Sequence, residues 1–246
     1  MHHHHPQEIW LAKLFNHYLP GLGNAILRLL RQPPEHHPWA NFMVMELVVA
    51  LLLISFFAFM RPRFSVDRPG KLQHALESMY NFVHGESEDA VGHGGAKYMP
   101  FFGTLFIFIL TCNLIGIVPG FETPTMEPCV PLGCALATFC YYNLMGLREQ
   151  GVGKYLAHFA GPMPWLAPLM VPIELISHMA RPLSLTVRLY ANMYAGEQVT
   201  LVFLSLTYFA IPAIFMGLHV FVSLLQAYIF MLLTMMYVSG AVSHEH

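Results

Sequence analysis

Charged side chains are scarce in this sequence of 246 residues. Lys, Arg, Asp and Glu make up 11% of the chain, whereas soluble domains average about 25%. The 12 basic and 14 acidic residues leave a formal charge of -2, and the lack of a basic surplus argues against a nucleic-acid partner. Because hydrophobic residues account for 56% of the chain, we expect a membrane protein rather than a soluble domain.

Several signatures of soluble binding sites are also missing. The cysteines Cys112, Cys129, Cys134 and Cys140 form no CxxC pair and show no zinc-ligand spacing. Because three of the four sit inside apolar stretches, small buried side chains are favoured over a metal site or a disulfide. The sequence has no GxxxxGK[ST] loop for nucleotide phosphates. It also lacks the internal repeat of many secondary transporters. We therefore expect neither a metal nor a cofactor.

Long apolar runs predict an all-α integral membrane protein with about five membrane helices. A helix needs roughly 20 apolar residues to cross a hydrocarbon core of about 30 Å. The expected helices cover about residues 39–60, 98–118, 129–147, 165–206 and 209–240. The last two are longer than an upright span requires, so we expect them to be tilted or kinked and to pack as a hairpin.

The links between these helices predict the orientation. Basic residues follow the first span, at Arg61, Arg63, Arg68 and Lys71, whereas the link after the second span carries only acidic charges, at Glu122 and Glu127. Since basic links are retained in the cytoplasm, the N-terminus is predicted outside and the C-terminus inside. Residues 1–38 are expected to form an outer-surface segment with short helices. Residues 39–246 are expected to form one membrane domain, with a cytoplasmic loop at 61–97 and an amphipathic helix near Leu72 to Val83.

The fourth predicted membrane helix carries charges that a bilayer tolerates poorly. A polar stripe within roughly 40° of one helical line contains Glu174, His178, Arg181, Arg188 and Asn192. An arginine at the centre of a membrane helix costs about 2.5–3.5 kcal/mol on insertion scales. Arg188 has no carboxylate within one turn on its own helix, so its counter-charge must come from another helix or another protein.

The last predicted helix carries a milder polar face. His219, Ser223 and Gln226 are spaced by four and three residues, which places them on one side of a helix. If the last two helices pack as an antiparallel hairpin, Glu197 could meet His219. A carboxylate and an imidazole in contact would exchange protons near neutral pH.

Structural interpretations stay open for several of these residues. Arg181, which precedes Pro182, could lie near enough to the inner surface to extend its charge into water. His178 could cap a neighbouring carbonyl. Asn192 and Gln226 could simply hydrogen-bond two helices together.

Three segments resemble subunit a of the F-type ATP synthase. RPLSLTVRLYANMYAGE, Arg181 to Glu197, is similar to that family's signature. LLQAYIFMLLTMMYVS, Leu224 to Ser239, resembles its last helix, and NLIGIVPG, Asn113 to Gly120, resembles the end of its second span.

The resemblance implies a function and a set of site residues. Subunit a of that family lies beside a rotating ring of subunit c, and protons reach and leave each ring carboxylate through two half-channels. By resemblance, Arg188 faces the ring carboxylate. The outer half-channel is implied at Asn192, Glu197, His219 and Gln226, the inner one at Glu174 and Ser184, and His178 and Ser223 are further candidates.

The resemblance also implies partners and a location. The partners would be the subunit c ring, the subunit b stalk dimer, the rest of the ATP synthase and the lipid bilayer of a bacterial inner membrane. Catalysis on ATP would belong to other subunits. The alternatives are a stand-alone secondary transporter or ion channel and a structural membrane anchor.

Overall fold

A computed structural model describes residues 9–29, 33, 37–65, 70–92, 94–118, 120–153, 155, 167–206 and 210–242. These ranges are dominated by α-helices, which we label α1 (Trp10–Tyr18), α2 (Pro20–Leu29), α3 (Asn41–Met60), α4 (Lys71–Val91), α5 (Met99–Ile115), α6 (Cys129–Gln150), α7 (Ala167–Leu206) and α8 (Ala210–Val242). Single 3₁₀ turns occur at Arg61–Arg63, Gly95–Lys97 and Pro124–Met126. The predicted all-α class is confirmed.

Helices form at all five places where membrane helices are predicted. Three of them are long and apolar enough to cross a bilayer, over Asn41–Arg63, Cys129–Gln150 and Ala213–Val242, and α5 is a shorter apolar helix. α7 is long enough to cross a bilayer, but it is not among these three because its charged and polar side chains lower its mean hydropathy. The predicted helix starts at residues 165 and 209 lie outside the described residues.

Three helix ends differ from the prediction by three residues or more. α6 continues to Gln150 rather than ending near residue 147. α4 continues to Val91 rather than ending near Val83, because its buried side still packs: Ser87 is buried and its hydroxyl donates to the Gly95 carbonyl at 2.8 Å. α5 ends at Ile115 rather than at residue 118. Gly116 begins a turn that lies against Thr123, where an added Cβ would fall 1.9 Å from the threonine Oγ1.

The core lies between α5, α6, α7 and α8. Large fully buried side chains come from each of these helices, including Phe102, Ile109, Tyr142, Leu189, Met193, Phe230 and Met235. Outside this core, large apolar side chains stay exposed, such as Ile54 at 66% and Ile176 at 70%. A surface of this kind suits contact with lipid chains rather than water.

α7 and α8 form the predicted antiparallel hairpin. The rings of Phe203 and Phe215 stack near the turn, with centroids 4.2 Å apart and planes 14° apart. Further from the turn, the Asn192 amide donates to Gln226 Oε1 at 2.8 Å. Residues earlier in α7 therefore contact residues later in α8, which is the order of contacts in an antiparallel pair of helices.

The N-terminal helices are tied to the start of α3. Asn16 accepts from the Trp39 backbone N–H at 3.0 Å, and its own amide donates to the Trp39 carbonyl at 3.2 Å. The Ile9 N–H donates to Asn41 Oδ1 at 3.2 Å. The predicted short helices with a break at Pro20 are confirmed as α1 and α2, whereas their location at the outer surface stays a prediction.

The packing of α6 against α8 generates a test of the fold. A Cβ added to Gly146 would lie 2.6 Å from Tyr155 Cε2 and 3.0 Å from the Ala241 carbonyl oxygen. Since a backbone oxygen cannot move independently, we expect Gly146→Ala to lower the free energy of unfolding by about 1–3 kcal/mol. The matched control is Gly133→Ala on the same helix, where a Cβ meets nothing within 4 Å. Unfolding in mixed detergent and SDS micelles measures both, and equal stabilities would contradict the packing.

Candidate functional site on helices α7 and α8

Arg188 lies at the edge of the packed face of α7. That face buries Leu185, Leu189 and Met193 against the core, whereas Arg188 itself is half-buried. It forms no ion pair or hydrogen bond with any residue in the part of the chain that the structure describes. The expectation that Arg188 has no counter-charge on its own helix therefore extends to the neighbouring described helices.

The residues beside Arg188 on the open side of α7 are small. Ser184, Ala191 and Ala195 lie four residues before, three after and seven after Arg188, and all three are exposed. Positions at these spacings share one side of a helix. Small side chains there leave room for another helix to approach the guanidinium closely.

Arg181, two turns before Arg188, is neutralised within the chain. Its Nη2 lies 3.6 Å from Glu174 Oε1. Its guanidinium also lies near aromatic rings, 5.4 Å from the Tyr237 centroid and 6.0 Å from that of Tyr142. The two arginines of this helix are thus in different electrostatic situations, since among the described residues Arg181 has a carboxylate partner and Arg188 has none.

His178 belongs to a buried polar cluster between α6 and α7. It is only 6% exposed, and its Nε2 lies 2.9 Å from Asn143 Oδ1. The same amide oxygen accepts from the Tyr155 hydroxyl at 2.7 Å, and the Tyr142 hydroxyl lies 3.3 Å from His178 Nε2. These contacts favour the interpretation of His178 as a partner for a carbonyl, here that of a side-chain amide.

Asn192 and Gln226 join α7 to α8 one turn from Arg188. The Asn192 amide donates to Gln226 Oε1 at 2.8 Å. Gln226 is buried, and its Nε2 finds no hydrogen-bond partner among the described residues. A buried donor without a partner costs about 1–3 kcal/mol. The Asn192–Gln226 bond fits the interpretation that the pair joins two helices, and a functional role for Gln226 stays a prediction.

A cavity of about 240 Å³ lies between the two helices beside this pair. Its walls include Asn192, Gly196, Thr200 and His219. The imidazole packs directly over the glycine, since a Cβ added to Gly196 would lie 3.2 Å from His219 Nδ1. The other walls are apolar and come from Ala195, Val199, Phe215, Leu218 and Val222. Asn192, Thr200 and His219 thus place polar side chains on a largely apolar space, whose volume is large enough for several water molecules of about 30 Å³ each.

Glu197 and His219 are close in the hairpin but do not form an ion pair within 4 Å in the described structure. Gly196 rather than Glu197 faces the imidazole. Glu197 instead approaches Thr123 and lies within electrostatic range of Glu122, both in the link between α5 and α6. The direct carboxylate–imidazole contact considered in the sequence analysis is absent, because the register of the hairpin turns the two side chains to different neighbours.

Glu122, which the sequence analysis did not select as a site residue, lies within electrostatic range of Glu197. Both of its carboxylate oxygens accept from the Asn41 amide, at 3.1 and 3.3 Å. Burial raises the pKa of Glu122, an effect that the Asn41 hydrogen bond opposes and the nearby Glu127 carboxylate adds to. The sequence feature that could have identified Glu122 is the purely acidic link after the second span, which the sequence analysis used only to predict orientation.

The remaining predicted residues lie around Asn192, His219 and Gln226. Ser223 is buried and its hydroxyl approaches Met193 Sδ at 3.9 Å. Its carbonyl accepts from Asn113 at 3.4 Å, and Asn113 Oδ1 in turn accepts from Thr125 at 2.7 Å. The structure therefore brings Asn192, His219 and Gln226 together, with Ser223 beneath them. Glu174 and Ser184 lie on the other side of Arg188 along α7.

Comparisons with known proteins are consistent across the chain. Residues 43–239 match the family described as ATP synthase A chain. The chain is 65% identical over 233 residues to the ATP synthase subunit a of Solibacter usitatus, covering 95% of this chain and 100% of that protein. It is 49% identical over 243 residues to the ATP synthase subunit a of Koribacter versatilis, covering 98% and 99%. It is 40% identical over 200 residues to ATP synthase subunit a 3 of Pelobacter propionicus, covering 81% and 86%.

Proposed function

Because this chain belongs to the ATP synthase A chain family, as a subunit a of the F-type ATP synthase, we propose that it provides the stationary part of a two-part proton path. The moving part is a ring of subunit c that carries one membrane carboxylate on each subunit. Protons reach the ring through an outer half-channel and leave it through an inner one. Arg188 separates the two.

The observation that carries this proposal is the missing counter-charge of Arg188. Leaving an arginine in an apolar environment is costly, and α7 offers no carboxylate to it, although the same helix pairs Arg181 with Glu174. A carboxylate on a neighbouring ring supplies the missing charge. The small exposed residues Ser184 and Ala191 allow that ring to come close.

The chemistry of arginine suits this position. A guanidinium does not lose its proton in proteins, so it cannot carry a proton itself. Its field favours the ionised form of an approaching carboxylate. Each ring carboxylate therefore releases its proton before it passes Arg188. The same positive charge opposes a direct proton leak between the half-channels.

The outer half-channel consists of Asn192, Glu197, His219 and Gln226, with Glu122 at its entrance. The cavity beside His219 supports this assignment, because Asn192, Thr200 and His219 offer hydrogen-bonding groups to a space with room for several water molecules. Glu197 and Glu122 lie at the end of the molecule where α5 and α6 are joined. Water bridges replace the direct contact that Glu197 and His219 do not make.

The inner half-channel lies on the other side of Arg188 and includes Glu174 and Ser184. Ser184 is exposed one turn before Arg188, and Glu174 lies 14 residues before it on the same stripe. The buried His178 cluster holds this part of α7 against α6. The membrane potential then drives the proton from one half-channel to the other, with about 2.3 kcal/mol per charge for each 100 mV.

The proposal places the chain in a bacterial inner membrane, in contact with the subunit c ring and the subunit b stalk dimer. Proton flow turns the ring, and other subunits carry out ATP synthesis. The N-terminus lies outside and the C-terminus lies in the cytoplasm, since the basic link after α3 belongs inside.

The first prediction concerns the positive charge of Arg188. Arg188→Ala in the assembled complex should reduce ATP-driven proton pumping to the level of uncoupled vesicles, because the ring carboxylates lose the group that ionises them. Arg181→Ala is the matched control, since it removes a cation from the same helix and should leave most pumping intact. Acidification of reconstituted vesicles measures both. Pumping near the wild-type rate in the Arg188 variant would refute the proposal.

The second prediction concerns the outer half-channel. Glu197→Gln and His219→Ala should each lower proton flux less severely than Arg188→Ala, because water in the cavity partly replaces a lost side chain. Passive proton flux through the membrane sector gives the measurement. If neither change alters that flux, the outer assignment is wrong.

The third prediction concerns orientation. In a chain whose four native cysteines are replaced, Tyr18→Cys on α1 and Glu88→Cys on α4 introduce single exposed thiols. A maleimide that cannot cross membranes should label the Tyr18 variant in spheroplasts and the Glu88 variant only in inverted vesicles. The opposite pattern would reverse the orientation.

A further inference from the structure

Helices α3, α4 and α5 enclose an apolar groove far from Arg188. Its volume is about 410 Å³, and its walls include Phe57, Leu76, Met79, Val83, Gly103 and Ile107. The groove widens at Gly103, where an added Cβ would meet only the end of the Met99 side chain, at 3.9 Å. Neither half-channel uses this groove.

A second cavity of about 370 Å³ adjoins the apolar groove. Phe64 and Gln73 line both spaces. Gln73 is fixed between them, because it accepts from the Ser65 N–H at 3.1 Å and donates to the Ser65 carbonyl at 3.0 Å. The two cavities therefore meet at a rigid polar boundary.

The second cavity differs from the first in carrying positive charge. Arg63 and Lys71 line it, and neither forms an ion pair with another residue of the described ranges. The Arg63 guanidinium lies 3.9 Å above the Phe59 ring, which orients it while leaving its N–H groups available. The Glu77 carboxylate nearby is already engaged, since it accepts from Gln73 at 2.8 Å and lies 3.7 Å from His74.

We propose that these joined cavities bind one anionic phospholipid. Its phosphate lies between Arg63 and Lys71, and one acyl chain lies in the groove beside Gly103. The pairing of two cations with a continuous apolar groove matches the two ends of such a molecule. Basic pockets at the cytoplasmic ends of membrane helices bind anionic head groups in this way. An apolar helix from another subunit would compete for the groove, and the experiments below distinguish it from a lipid.

The lipid has a structural consequence. α4 packs against α5 and α8, whereas the groove lies between α4 and α3. A bound acyl chain fills that space and joins α4 to α3 and α5. The lipid thereby fixes the amphipathic helix at the membrane surface.

The test uses the whole ATP synthase, purified in detergent and stripped of loosely bound lipid. Native mass spectrometry then counts added phosphatidylglycerol, with phosphatidylcholine of the same acyl chains as the uncharged comparison. Arg63→Gln combined with Lys71→Gln should remove one tightly bound phosphatidylglycerol, with affinity falling about 5-fold for each charge lost. Arg148→Gln, which removes an exposed cation at the end of α6, should leave the count unchanged.

The groove is tested separately. Gly103→Leu places a side chain in the acyl-chain space and should remove the same lipid, whereas Gly133→Leu, at an open position on α6, should not. Equal retention of phosphatidylcholine, or an unchanged count in the Arg63 and Lys71 variant, would overturn the proposal. A benzophenone attached at Gly103→Cys should label lipid, and labelling of another subunit would assign the groove to a protein helix instead. If Gly103→Leu fails to assemble, the charge variants and the benzophenone still decide.

Discussion

The arrangement of α7 depends on one unneutralised charge. Arg188 lies near the middle of a 40-residue helix, at the boundary between its packed and open sides. Leu185, Leu189 and Met193 bury the packed side and hold the helix in one rotation about its axis. That rotation keeps the guanidinium out of the core, where it would lack a partner, and directs it to the edge of the open face. The packing of apolar residues thus determines where the charge points.

The same rotation of α7 about its axis determines the positions of the neighbouring polar residues. Asn192, one turn further along, reaches Gln226 on α8, and Gly196, one turn beyond that, leaves room for His219. Arg181, two turns in the other direction, reaches Glu174 and the aromatic rings of Tyr142 and Tyr237. A single helix therefore carries a neutralised arginine and an uncompensated one. In the proposed mechanism, only the second acts on the ring.

Sequence patterns predicted most of the fold and several of the polar residues that meet between α7 and α8, whereas the roles of those residues stay predictions. Apolar length located five of the helices, three of which are long and apolar enough to cross a bilayer, and the spacing of Glu174, Arg181 and Arg188 placed them on one stripe. Sequence patterns failed to predict features that contacts between distant parts of the chain determine. α4 continues past Val83 because Ser87 packs on Gly95, and the side chains of Glu197 and His219 separate because of the hairpin register. Glu122 was missed because its relation to Asn41 joins residues 81 positions apart.

The central claim is that Arg188 faces the carboxylate of a moving ring, and cross-linking tests this most directly. A cysteine at Ala191, on the same exposed side of α7, is paired with a cysteine beside the membrane carboxylate of subunit c. Ile54→Cys on α3 serves as the exposed control. We predict rapid disulfide formation from position 191, arrest of ring rotation on cross-linking and its recovery on reduction. Cross-linking from position 54 but not from position 191 would contradict the account.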